Sequence, residues 1–320
     1  MYSWLFRTIS YGLFLLGGGG DGSEAQAQSA GNVIAAEKGI STQSGHDAGW
    51  YLTQHRLLER SIASLKSQRR GVIDAYVVVV ALDGDLVFQR EAREAAKVLS
   101  RRYGAAGRTI LLATGTTDNP AGSPANITTI LAAVAAKMDL DEDVLVLYTT
   151  SHGSDKVGII YKDGTNGFGM LGPRRLGHIV NGLGIKRRLV MISACYSGVF
   201  IPHLSGEESI IITAASPVRT SFGCSPGNDW TFFGDALVNH ALRTPQSLQA
   251  ATRSSNELIS QWEKKMKLTP SEPQFSIGAK ADIWLKQLEA RMPKKQTALV
   301  GTPAIDSETL PVAVAGPTKR

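Results

Sequence analysis

Two segments of the sequence each present one reactive side chain directly after an apolar run. His152 follows the run Val144–Thr150, and Cys195 follows the run Arg188–Ser193. The thiolate is the attacking form of cysteine, but a free thiol near neutral pH is mostly protonated, so it needs a base. An imidazole can take the thiol proton and later donate one to a leaving amine. The two residues are therefore candidates for a thiol–imidazole catalytic pair.

A glycine stands next to one reactive residue and close to the other, namely Gly153 beside His152 and Gly198 after Cys195. The backbone N–H groups of Gly153 and Cys195 are the candidates for stabilising an oxyanion during acyl transfer. No third catalytic group is evident from the sequence. From the residue pattern alone, a packed histidine at a strand end and a small buried cysteine remain the alternative interpretation.

The apolar runs are spaced as strands that alternate with helices. Runs of strand length, several of them rich in β-branched residues, occupy 75–82, 109–113, 144–150, 188–193 and 209–215. Helical patterns occupy 50–69, 91–103, 126–138, 173–182, 231–242, 245–267 and 282–291, with a small hairpin edge at 158–161 and a short strand at 274–277. This alternation predicts an α/β fold, a three-layer α/β/α sandwich with a mainly parallel sheet.

The predicted sheet explains why His152 and Cys195 belong together. Functional groups in open parallel sheets gather beyond the carboxyl ends of the strands. Neighbouring strands lie only about 4.8 Å apart. If the strands before His152 and Cys195 are neighbours, the two side chains face each other over one cleft.

The ends of the chain differ from this central domain, which we place at 71–292. Residues 1–27 resemble an export signal, with Arg7, an apolar stretch and the small-x-small site at 25–27, and they predict a periplasmic or secreted bacterial protein. Residues 28–70 are predicted to be a linker and an N-terminal helix. Residues 293–320 mix Lys, Thr, Ala and Pro without periodicity, which predicts a disordered tail.

Composition argues against several classes of protein. The chain has 320 residues with a net charge of +6 that is spread along its length, so no nucleic-acid surface is predicted. The body of the chain has no apolar run long enough to cross a membrane. The histidines at 178, 203 and 240 lack ligand-like spacing, so no metal site is expected. The two cysteines, Cys195 and Cys224, are predicted to be free thiols rather than a disulfide.

The strings Thr150-Ser-His-Gly-Ser154 and Ser193-Ala-Cys-Tyr-Ser-Gly198 resemble the legumain-like cysteine peptidases, in particular their bacterial branch, which belong to the caspase-type fold clan. The resemblance continues through 213–217, 220–224 and 229–234. It implies a caspase-like sheet and cysteine-type endopeptidase activity on peptides or proteins without a cofactor. It also implies Cys195 as nucleophile, His152 as base and a thioester acyl-enzyme.

The same resemblance implies a substrate pocket. Family members that cut after Asn hold that side chain with an Arg-His pair, an acidic residue two positions before the nucleophile, and a Ser and an Asp further on. The matching candidates here are Arg90, Ser193, Thr220 or Ser221, and Asp235. Ser193 stands where those family members have the acidic residue, and no His accompanies Arg90. Because the candidate pocket residues are polar, Asn or another polar residue is expected before the cleaved bond.

Three other functions are compatible with the sequence. A transpeptidase or transamidase would use the same His152–Cys195 pair with an amine in place of water. A catalytically inactive caspase-like binding module and a structural protein of the cell envelope are the alternatives outside the enzymes. The intact pair of reactive residues argues against the binding module, and only the signal and the polar tail favour the structural protein.

Overall fold

A computed structural model describes residues 37–307 together with positions 31, 34 and 35. The strands are β1 Ser41–Thr42, β2 Ala75–Ala81, β3 Thr109–Ala113, β4 Val144–Thr150, β5 Gly153–Ser154, β6 Gly158–Asp163, β7 Gly167–Leu171, β8 Arg188–Ser193, β9 Ser209–Thr213 and β10 Gln274–Ile277. The helices are α1 Ala48–Ala63, α2 Leu86–Arg102, α3 Pro124–Ala135, α4 Pro173–Gly182, α5 Ile201–Leu204, α6 Gly234–Ala241, α7 Leu248–Met266, α8 Ala281–Glu289 and α9 Ala304–Ser307. The α6 turn has π-helical hydrogen bonding.

A six-stranded sheet forms the centre of the domain, in the order β10-β9-β8-β4-β2-β3. The strands from β9 to β3 pair in parallel, and β10 joins β9 antiparallel at one edge. Every residue of β2, β4 and β8 is buried. Strands covered on both faces need no polar alternation, which is why each appears in the sequence as one continuous apolar run.

Helices cover both faces of this sheet, and alternate residues of β2 show it. Val77 and Val79 belong to the core that packs beneath α2, α6, α7 and α8. Val78 and Val80 belong to the opposite core, which packs beneath α3, α4 and α5. Successive side chains of a strand point to opposite faces, so the two clusters are separate layers. The predicted three-layer α/β fold with a mainly parallel sheet is confirmed.

A second, antiparallel sheet carries the chain beside the predicted active-site turn. Its order is β1-β7-β6-β5, and β5 begins at Gly153, directly after His152. Within the predicted linker, Ser41 and Thr42 pair with β7. The predicted signal 1–27 lies outside the described residues, so export stays a prediction. No helix in the described part of the chain has the length and apolar character of a membrane span.

The predicted disordered tail at 293–320 is wrong for residues 293–307. The Val300 carbonyl accepts a hydrogen bond from the Trp230 indole at 2.8 Å, and the Ala304 N–H donates to the Asp235 carboxylate at 2.7 Å. Buried polar side chains bind this segment through its backbone, and such binding leaves no periodic pattern in the sequence. Residues 308–320 lie outside the described part.

Helix α2 begins at Leu86, five residues before the predicted start at 91. The connection from β2 to α2 is short, and Asp83 within it forms an isolated bridge with Lys162. Asp85 occupies the N-cap position in an extended conformation without using its side chain as a cap. The carboxylate of Asp85 is therefore available for another contact.

Candidate active site

The two reactive residues leave the sheet at the same edge, on neighbouring strands. β4 and β8 pair in parallel, with Thr150 opposite Ser193. The Ser151 N–H then donates to the Ser193 carbonyl at 3.1 Å, which continues the ladder one step beyond the strands. His152 lies two residues after Thr150, and Cys195 lies two residues after Ser193, the partner of Thr150 across the strands. The expectation that their strands are neighbours is confirmed.

The turns that carry the two residues pack directly against each other. A Cβ atom at Gly153 would collide with the backbone carbonyl oxygen of Cys195. Only glycine allows so close an approach of two backbones. His152 and Cys195 consequently line a single cleft.

A sharp turn follows the cysteine. Tyr196 adopts a left-handed conformation with φ of 57°, although it is not a glycine. Its N–H donates to the Arg219 carbonyl at 2.8 Å. Left-handed non-glycine residues store strain and persist where the surroundings enforce them, often at functional sites. The turn places the partly buried Cys195 at the end of β8, ahead of the helical turn that follows.

The sulfur of Cys195 is enclosed and contacts the backbone of Ser221. The Ser221 N–H donates to Sγ at 3.3 Å, and the thiol can donate to the Ser221 carbonyl at 3.6 Å. Burial raises the pKa of the Cys195 thiol above its usual value, and the Ser221 N–H opposes that rise. Enclosure therefore favours the protonated thiol, which then needs a base to become a nucleophile.

The imidazole of His152 is held between a ring and a carboxylate. Phe88 meets it edge-to-face, with ring centroids 5.0 Å apart. Its Nε2 atom lies 3.8 Å from a carboxylate oxygen of Asp85. The backbone carbonyl of His152 accepts a hydrogen bond from Ile160 on β6 at 3.1 Å. Ring, carboxylate and backbone together limit how the imidazole can turn.

Asp85 is the functional candidate that the sequence analysis missed. It follows β2, whose end pairs with the end of β4 at Ala81 and Thr150, so three adjacent strands deliver side chains to one edge. The Asp85 N–H is held by the Asp83 carboxylate at 2.9 Å. Burial raises the pKa of Asp83. The signal in the sequence was a pair of acidic residues directly after a buried strand.

Within the described residues, one set of potential ligand atoms is close enough to hold a metal ion. Asp83, Asp85 and His152 place such atoms within 4.8 Å of one another. Asp85 lies near the imidazole and also 3.9 Å from the Lys162 ammonium, which supplies a positive charge already. We therefore interpret the cluster as support for the imidazole rather than as a metal centre.

The predicted substrate residues divide into two groups. Ser193 and Ser221 line the cleft with the two reactive residues. Thr220 is exposed and does not line it. Arg90 and Asp235 are not at the cleft either.

Arg90 and Asp235 bind other parts of the chain. The Arg90 guanidinium donates to the Asn228 carbonyl at 2.9 Å and lies 3.6 Å from the Asp229 carboxylate. Asp235 is fully buried and accepts hydrogen bonds from Ala304 and from the Asn239 amide at 2.8 Å. The structure thus places neither of these two predicted pocket residues on the lining of the cleft.

On α2 the residue that reaches the cleft is Phe88 rather than Arg90. Two positions on a helix are about 200° of rotation apart, so the two side chains lie on nearly opposite faces. Phe222, Cys224 and Thr231 also line the cleft, and the sequence analysis did not assign them. Their position depends on how the segment after β9 folds back, for which the sequence offers no periodic signal.

Comparison with known proteins shows which family part of the chain resembles. Residues 124–279, which include both reactive residues, match the Peptidase C13 family. This match confirms the predicted resemblance to the legumain family and supports a cysteine peptidase. Caspase-1 from Spodoptera frugiperda is a similar solved structure, with 11% identity, a TM-score of 0.46 and coverage of 67% of this chain and 92% of that chain. No curated protein matches the chain significantly.

The reactivity of Cys195 should depend on pH in a way that reports its enclosure. In a Cys224→Ser variant Cys195 is the only cysteine, and its alkylation by iodoacetamide can be followed from about pH 6 to about pH 10. Because the pKa of the thiol is raised, less thiolate exists at neutral pH, and the rate should still be rising beyond about pH 8.5. A rate that is already constant below about pH 7 would contradict a protonated resting thiol.

Proposed function

Because residues 124–279 match the Peptidase C13 family, we propose that this protein is a cysteine-type endopeptidase with His152 as base and Cys195 as nucleophile. The observation that carries the proposal is the register of β4 and β8, which brings both side chains to one cleft. Its substrates are peptides or proteins. No cofactor is needed, because the thiol and the imidazole supply both the nucleophile and the proton transfers.

The first half of the reaction forms a thioester. Sγ of Cys195 attacks the carbonyl carbon of the scissile peptide while the thiol proton passes to His152. The negative charge that develops on the carbonyl oxygen is stabilised by the N–H groups of Gly153 and Cys195. His152 then returns the proton to the nitrogen of the leaving amine as the C–N bond breaks. The acyl group remains on Cys195.

The second half releases the acyl group. His152 removes a proton from a water molecule, whose oxygen attacks the thioester carbonyl. Breaking the C–S bond gives a carboxylic acid, and the thiolate recovers a proton from the imidazolium. If an amine reached the thioester before water, the product would be a new amide, which is the transpeptidase or transamidase alternative.

Asp85 acts in this scheme as a positioning residue. Its carboxylate, 3.8 Å from Nε2 of His152, favours an imidazole with a proton on that nitrogen and leaves Nδ1 to serve as the base. It also stabilises the imidazolium that forms during each half-reaction. Lys162, which is 3.9 Å from the other side of the same carboxylate, fixes the carboxylate in turn.

The dyad is tested by cleavage of a peptide library with the purified full-length protein. Cys195→Ala and His152→Ala should each reduce kcat/KM by at least about 1000-fold, because nucleophile and base act as one unit. Val218→Ala, at a side chain that is 74% exposed, is the control and should cleave like the wild type. A peptidyl acyloxymethyl ketone should label Cys195. A wild-type protein with neither turnover nor labelling refutes the peptidase proposal and leaves the binding-module alternative.

The positioning role of Asp85 predicts a selective loss of kcat. Asp85→Asn keeps the size of the side chain but removes its charge, and we expect kcat to fall by about 10- to 100-fold with little change in KM. Asp85→Glu should recover part of the loss. Asp141→Asn, at a carboxylate whose side chain is 90% exposed, is the matched control. Equal effects of the substitutions at 85 and 141 would argue against the role.

A further inference from the structure

The cleft beside Cys195 is where the residue before the cleaved bond must place its side chain. Reacting atoms approach to about 3–3.5 Å before bond formation. A carbonyl carbon at that distance from Sγ brings its own side chain into the space next to the thiol. That space is bounded by Phe88, Phe222 and the segment before Cys195. This subsite, called S1 because it receives the P1 residue of the substrate, can therefore be described from the side chains that line it.

The walls of the S1 subsite are mostly apolar. Phe88 is fully buried and packs on the catalytic imidazole. Phe222 also lines the space and packs on Phe232 in the core, with ring centroids 5.9 Å apart. Ala194 and Cys224 are two further lining residues. A side chain that enters this space meets mostly carbon and sulfur.

Two polar side chains at the subsite, Thr231 and Ser193, have their hydroxyl hydrogens directed elsewhere. The Thr231 hydroxyl donates to the buried Glu91 carboxylate at 2.7 Å. With its single hydrogen used, Thr231 can only accept in its 3.1 Å bond with Ser193, so the Ser193 hydroxyl is the donor there. Thr231 also accepts from the Gly234 N–H at 2.9 Å. Neither hydroxyl therefore has a free hydrogen to offer to a substrate.

The carboxylate nearest to these hydroxyls, that of Glu91, is hydrogen-bonded by groups of the protein itself. Glu91 has no exposed surface, and it accepts hydrogen bonds from the Tyr148 hydroxyl at 2.7 Å and from the Thr231 backbone at 3.0 Å as well as from the Thr231 hydroxyl. Burial, and then the charge of Glu91, raise the pKa of Tyr148 well above its usual value, so its hydroxyl remains a donor. Glu91 therefore organises the floor of the subsite from behind and does not line it.

The cleft also lacks a lining charge of either sign among the described residues. Arg90 and Asp229 pair with each other and line a different surface depression, together with Trp230 and Val300. A charged substrate side chain in the cleft would lose water without gaining a partner of opposite charge, which is costly in a desolvated site.

We propose that the S1 subsite takes a small apolar side chain, of the kind found in Ala and Val, and rejects Asn, Asp, Lys and Arg. The size limit follows from the enclosed space beside the thiol, whose cavity volume is about 10 Å³, close to the size of one water molecule. The chemical limit follows from the apolar walls and the occupied hydroxyls. This inference rests on the proposed endopeptidase function, and it replaces the polar preference that the sequence resemblance implied.

The test uses peptides that differ only in the residue before the cleaved bond, with the full-length protein. We expect kcat/KM with Ala to exceed that with Asp, Lys or Arg by at least about 100-fold and that with Asn by about 10-fold. Leu should be about 10-fold poorer than Ala because it overfills the space. A preference for Asn, Asp, Lys or Arg overturns the inference while leaving the peptidase proposal intact.

Two variants at one position link the preference to the cleft wall. Phe222→Ala widens the subsite and should raise the ratio of Leu to Ala cleavage by about 10-fold, and Phe222→Leu, which preserves more of the packing, should raise it less. Val218→Ala, on the same segment but exposed, should leave the ratio unchanged. An unchanged ratio in folded Phe222→Ala and Phe222→Leu proteins overturns the inference. Labelling of Cys195 by an acyloxymethyl ketone serves as the separate check on the peptidase proposal, since it is lost only if that proposal fails.

Discussion

The parallel pairing of β4 with β8 determines the geometry on which everything else in the site depends. The register places Thr150 opposite Ser193, and the ladder extends to Ser151 before the two chains separate into their turns. A slip of one residue would turn the side chains of a strand to the opposite face of the sheet. Since both strands are buried on both faces, their packing with neighbouring strands and with two separate cores resists such a slip.

The close contact at Gly153 holds the two turns that carry His152 and Cys195 against each other. The backbone of the histidine turn touches the carbonyl of Cys195, so the nucleophile and the base share one cleft. Around that cleft, three polar groups each contact a different part of the site. Asp85 faces the imidazole, Ser221 contacts the sulfur, and Glu91 fixes the hydroxyls of the floor from a fully buried position. The site is consequently polar beside the reacting atoms and apolar where a substrate side chain would enter.

The parts of the fold that the sequence predicts well are those with a continuous local signal. Apolar runs locate β4, β8 and the remaining parallel strands almost to the residue, because strands buried on both faces must be apolar throughout. The relation of His152 to Cys195 follows from the same logic. The resemblance adds the chemistry, but it also suggested pocket residues that the structure places elsewhere.

The errors have a common physical cause, which is that they concern side-chain direction and non-local contacts. Whether Phe88 or Arg90 reaches the cleft depends on the rotation of α2, which begins earlier than predicted. Whether 293–307 is ordered depends on Asp235 and Trp230, which bind its backbone from far away in the sequence. Asp85 became visible as a candidate only once β2 was known to lie beside β4.

The central claim is that Cys195 carries the acyl group during turnover, with His152 as its base. Acid quenching of the full-length protein during cleavage of a peptide, followed by mass mapping, measures this directly. The account predicts an adduct with the mass of the acyl half of the peptide on Cys195, removable by hydroxylamine, and its absence in His152→Ala. Steady cleavage without any adduct on Cys195, or an adduct on a different residue, would contradict it.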